Sequence, residues 1–80
     1  MTLLTMTLLT RIAPAQNMRR FYRIEASPDL FGGIQIIRHW GRIGTRGQSL
    51  PCWCATEAEA RALTQTLLRA KMRRGYSPAD

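Results

Sequence analysis

Eleven of the twelve basic residues in this chain are arginine, and arginine is the side chain best shaped for a phosphate, because its planar fork donates in pairs and its flat face stacks on rings. Only five acidic residues oppose them, which leaves a formal charge of +7 and an isoelectric point near 11.1. Such an excess in a small protein points to a polyanionic partner, nucleic acid ahead of anionic lipid. The basic residues also gather: between positions 17 and 46 stand Arg19, Arg20, Arg23, Arg38, Arg42 and Arg46 against only Glu25 and Asp29. Cys52 and Cys54 flank Trp53, and at that spacing a strand turns both thiols to one face, which is half a metal site. The single histidine, His39, does not complete the four ligands zinc takes, so the thiols read as small buried hydrophobes and no metal site is expected. There is no Ser/His/Asp or Cys/His pairing at a catalytic spacing and no phosphate-cradling loop, so neither an enzyme nor a bound cofactor is expected.

These residues have to be positioned by very little protein. Eighty residues make one small domain, and hydrophobic and charged fractions of 45% and 21% with a mean hydropathy of -0.22 describe a chain that folds in water. Met1 to Thr5 recurs as Met6 to Thr10. That apolar start is far shorter than the ~20 residues a membrane span needs and lacks a leading basic residue. It is expected to be a frayed extension over residues 1–7, with no membrane partner. A pair of cysteines without a disulfide pattern makes a reducing, cytoplasmic compartment the expectation.

A first strand is expected at Leu8 to Ile12, ended by Pro14. From Met18 the chain alternates, with Tyr22, Ile24 and Ala26 on one face and Phe21, Arg23 and Glu25 on the other. Ser27-Pro28-Asp29 and Gly32-Gly33 carry turn chemistry. The following strand, Ile34 to Trp40, puts Ile34, Ile36, Arg38 and Trp40 on one side, and alternation leaves open which side is buried. Gly41 to Gly47 reads as a loop, and Gln48 to Ala55 as a strand whose Pro51 belongs at an edge or a bulge rather than in a central strand. Thr56-Glu57-Ala58-Glu59 is a capping box that opens a helix running to about Arg74, with Ala60, Leu63, Leu67 and Ala70 as its apolar stripe and Gly75 as its left-handed stop. Glu57 and Glu59 at its start, and Lys71, Arg73 and Arg74 at its end, suit the helix dipole. The fold class is therefore α+β, a small antiparallel sheet of about four strands with one C-terminal helix on a face. The single domain is expected over residues 8–76, with a tail at 77–80.

Trp40-Gly41-Arg42, continued by Ile43-Gly44-Thr45-Arg46-Gly47, resembles the signature of the WGR domain. Asn17 through Phe21-Tyr22 is similar to that family's opening strand, and Glu57 to Gly75-Tyr76 to its closing helix, so the resemblance covers roughly Leu8 to Tyr76. It implies a DNA-binding module like that of poly(ADP-ribose) polymerases, without the polymerase activity. Trp40 would stack on a terminal nucleotide, Gly41 would let the backbone come close, and Arg42 would make the neighbouring contact. Arg38, Arg46 and Arg23 complete the expected nucleic-acid site by neutralising phosphates. DNA is favoured over RNA. The strand from Ser49 to Ala55 departs from the family in lacking charge, so a protein partner or a second copy, held by Leu50, Pro51 and Trp53, is the alternative reading.

Overall fold

A computed structural model describes residues 5–79 of the chain. Five strands and one helix follow in the order β1 (Thr5–Ala13), β2 (Met18–Pro28), β3 (Ile34–Arg42), β4 (Gln48–Cys54), α1 (Glu57–Arg73) and β5 (Ser77–Pro78), with a single 3-10 turn at Pro14–Gln16 between the first two strands. The strands form one antiparallel sheet, ordered β4-β3-β2-β1-β5, and the helix packs on one of its faces. This is the expected α+β architecture with a fifth strand added. Ser77 and Pro78, assigned to the tail, pair with Thr10 and Leu9. The first strand begins at Thr5 rather than Leu8, since Thr5, Met6 and Thr7 stand opposite Ala26, Glu25 and Ile24. The rest of the expected frayed start, residues 1–4, lies outside the described residues, as does Asp80.

The alternation left open by the sequence is settled by the register of the central hairpin. Tyr22 faces Trp40, Ile24 faces Arg38 and Ala26 faces Ile36 across β2 and β3, so all six point to the helix side. Leu9, Ile24 and Ile36 are completely buried there, joined by Tyr22, Ala26, Ile34, Cys54, Ala60 and Tyr76. From the helix, Leu63, Leu67 and Leu68 pack against them. Leu68 therefore takes the place expected for Ala70, which is exposed. Both Cys52 and Cys54 belong to this face, but only Cys54 is buried, and burial pushes its thiol up from the ordinary value, with Cys52 and Glu59 adding to the effect. Cys52 is exposed, and so are its neighbours Pro51 and Trp53, which point to the face away from α1.

The helix ends as its sequence dictates. Thr56 Oγ1 accepts from the Glu59 amide at 3.1 Å, while the Glu59 carboxylate accepts from the amide of Ala55, one residue earlier than a capping box would place it, at 3.0 Å. At the other end Gly75 takes φ +97°, and the amides of Gly75 and Tyr76 donate to the carbonyls of Met72 and Lys71. That paired closure needs a left-handed residue, which glycine adopts without strain. It also returns Tyr76 into the core, where its ring meets Tyr22 edge-on at 6.5 Å.

Trp53 has a structural job. Its indole nitrogen donates to the Gly32 carbonyl at 2.9 Å, and its ring lies so close to Gly33 that a Cβ there would overlap it. It thus clamps the turn between β2 and β3, whose Leu30 and Phe31 stand 95% and 93% exposed. Ile36→Ala should cost about 2 to 5 kcal/mol of stability through the cavity it leaves. Leu30→Ser should change stability by no more than about 0.5 kcal/mol. Urea unfolding followed by circular dichroism measures both.

Candidate nucleic-acid interface

At the far end of the sheet from that turn, the chain builds a cleft of about 370 Å³. Its floor comes from β2 and β3: Met18 and Arg20 from one strand, Trp40, Gly41 and Arg42 from the other, with Lys71 and Tyr76 overhanging from the helix and its closure. Gln16 and Asn17, in the turn after β1, form one wall. Arg20 stands directly opposite Arg42 in the ladder, which puts both guanidinium groups on Trp40's side of the sheet. Asn17 adopts a left-handed conformation at φ 51°. From there its carbonyl and side-chain oxygens accept from Arg42 Nη1 and Nη2 at 3.2 and 3.3 Å. Arg42 is thus held in place while remaining exposed.

Trp40 lies at the end of β3, an interior strand, rather than at a sheet edge. It is half-buried and packs against the core, so it both closes the hydrophobic layer and lines the cleft. Backbone crowding holds this corner: a Cβ on Gly47, at φ +70°, would overlap the Trp40 carbonyl, and one on Gly41 would press on Gly47.

The cleft's electrostatics are one-sided. Among the described residues, no carboxylate lines it. Glu25 is on the opposite face, 3.4 Å from both Arg23 and His39. Glu57 pairs with Arg61 at 2.6 Å, Glu59 caps the helix, and Asp29 belongs to the distant turn. The Lys71 ammonium sits 4.9 Å from the centre of the Tyr22 ring and 5.4 Å from that of Tyr76. Burial pulls its pKa below the ordinary 10.5, and the charges of Arg74, Arg20 and Arg38 pull it further. Burial also raises the Tyr22 phenol, partly opposed by the nearby Arg38 guanidinium. Such a cluster of like charges, without a counter-charge, is relieved by an anion.

With that geometry in view, the family assignment follows from the sequence comparison: the profile of the WGR domain matches residues 5–80. The chain belongs to the WGR domain family. It is similar to the uncharacterized protein y4dW of Sinorhizobium fredii, with 46% identity over 68 residues, which are 85% of this chain and 33% of that protein. The chain thus spans about a third of the length of that relative. No solved structure matches it. Among the described residues, no helix of this WGR domain is long and apolar enough to cross a membrane.

The residues singled out from sequence divide between two faces. Trp40, Gly41, Arg42 and Arg38 belong to one strand, the first three lining the cleft, while Arg38 is on Trp40's face of the sheet but outside the lining. Arg23 lies on the opposite face, because it is one residue out of phase with Tyr22. Arg46 is exposed in the turn before β4 and does not line the cleft. Arg20 and Lys71 are additions from the structure, and both carry a signal in the sequence. Arg20 shares parity with Tyr22 and Ile24, and Lys71 falls about three helical turns after Ala60, in line with Leu67. Because its folded-state pKa lies below the unfolded value, the Lys71 charge opposes folding at neutral pH, and that opposition fades as pH rises toward 10.5. NMR titration of this one lysine should give a midpoint below 10.5, and Arg20→Gln should move it upward by removing a neighbouring charge.

Proposed function

We propose that this WGR domain is a non-catalytic module that binds nucleic acid, DNA in preference to RNA, in the Trp40 cleft. The observation that carries this reading is the gathering of Arg20, Arg42 and Lys71 around a half-buried tryptophan, with no carboxylate lining the cleft among the described residues. Phosphates would take the guanidinium groups, and the exposed part of the Trp40 ring would stack on a base, a contact worth ~1 to 3 kcal/mol. A terminal base suits this arrangement, because its outer face is free to stack. Arg42, already tied to Asn17, would reach a phosphate with little further ordering. Arg38, on Trp40's face, supports the positive field, Arg46 supplies longer-range attraction, and Arg23 on the other face contributes least.

Fluorescence anisotropy with a short 5′-phosphorylated duplex tests this. With ~4 phosphates contacted, affinity should fall ~100-fold between 50 and 200 mM salt. Arg42→Ala and Arg20→Gln should each weaken binding ~10-fold with the fold retained, whereas Arg23→Gln should leave it within ~2-fold. Equal losses at Arg20 and Arg23 would refute the cleft as the site. A second reading, docking to a protein partner, is favoured by the exposed Leu30 and Phe31 beside Trp53. That contact would survive salt and be lost in Leu30→Ser/Phe31→Ser, with Arg42→Ala having no effect.

A further inference from the structure

Lys71 is the single lysine of a chain whose other basic side chains, His39 aside, are all arginine. If the cleft needed only charge, a twelfth arginine would serve it, and arginine forks phosphate better. What a lysine has and an arginine lacks is an amine that can lose its proton and act as a nucleophile. That amine is placed where most helices carry an apolar residue, on the stripe facing the sheet. There it is half-buried, lines the cleft with Trp40, Arg20 and Arg42, and is held beside the rings of Tyr22 and Tyr76.

We propose that Lys71 captures an aldehyde carried by the bound nucleic acid, namely the open-chain C1′ of a sugar that has lost its base, as a covalent imine. The inference rests on the nucleic-acid reading of the cleft and adds a class of substrate to it. A baseless sugar offers three features together: an aldehyde carbon, phosphates on either side, and an empty space in the stack. Arg20 and Arg42 match the phosphates, and Trp40 offers ring surface for the vacant position. The Lys71 nitrogen adds its lone pair to C1′, and the carbonyl π electrons pass to oxygen, giving a carbinolamine once one N–H proton moves to that oxygen. Loss of the hydroxyl as water, with the second N–H proton, leaves the C=N bond, so one water is released and no oxidant or reductant is consumed. The step needs the neutral amine, and the same crowding by burial and by Arg74, Arg20 and Arg38 favours that form.

The test uses the whole chain and a fluorescent duplex with one baseless site, treated with borohydride to reduce any imine to a stable amine. A one-to-one adduct should form on denaturing gels, with mass mapping on Lys71, and Lys71→Arg should reduce the adduct yield per bound duplex at least ~10-fold, the bound fraction of each protein being read by anisotropy on the same duplex. Adduct mapped only to the terminal amine, or formed equally well by Lys71→Arg, overturns the inference. Binding without any adduct also overturns it and leaves the nucleic-acid reading standing. Absence of binding, by contrast, removes both.

Discussion

Tyr22 facing Trp40 across the central hairpin fixes which side chains share the helix-covered layer, and a shift of one residue in that ladder would exchange the two faces. With β2 held in place, Ile36 would then leave the core, and Trp40 and Arg42 would turn away from Lys71. The same register therefore makes the hydrophobic layer and the cleft. Its ends are well defined. The Trp53 clamp on Gly32 and Gly33 holds the turn at one end, and the amide of Ile43 donating to the Arg19 carbonyl at 2.8 Å extends the ladder at the other.

The helix carries charge from one end of the sheet to the other. Glu57 and Glu59 occupy its first turn and Lys71 and Arg73 its last, an order that favours the helix dipole at both ends. In this fold that order has a second effect, because the last turn closes over the row of Tyr22 and Trp40. The left-handed Gly75 brings Tyr76 back beneath Lys71, so the helix stop and the aromatic surroundings of the amine are one local structure. Local dipole preference and a concentrated positive cleft are thus satisfied by the same residues.

Much of this is legible in the sequence. The alternation around Tyr22, the Thr56 cap, the glycine stop and the outer position of Pro51 each follow from short-range physics, and the structure carries all of them, while Glu59 reaches back to Ala55 rather than to Thr56. Trp40-Gly41-Arg42 falls at the end of the sheet where the cleft forms. What escapes are facts set by tertiary contact. Two residues of strand at Ser77 and Pro78 have no periodicity to read, since only the Tyr76 anchor brings them beside β1. Arg23 groups with the site in sequence because proximity along the chain does not distinguish faces, although parity does. The dipole alone accounts for Lys71 in sequence, and that account hides its place on the stripe that faces the sheet. Trp53 has no readable role there because its partner, the turn at Gly32, is distant along the chain.

Both outer strands of the sheet contain a proline, Pro51 in β4 and Pro78 in β5. A proline has no amide hydrogen to offer a neighbouring strand, so each border has a gap in its row of donors. Open sheets of this kind are otherwise prone to grow by adding copies edge to edge. Here the β4 border is interrupted at Pro51, and on the other side β5 covers Leu9 and Thr10 of β1 with a strand that itself ends in proline, so edge-to-edge growth is opposed at both points.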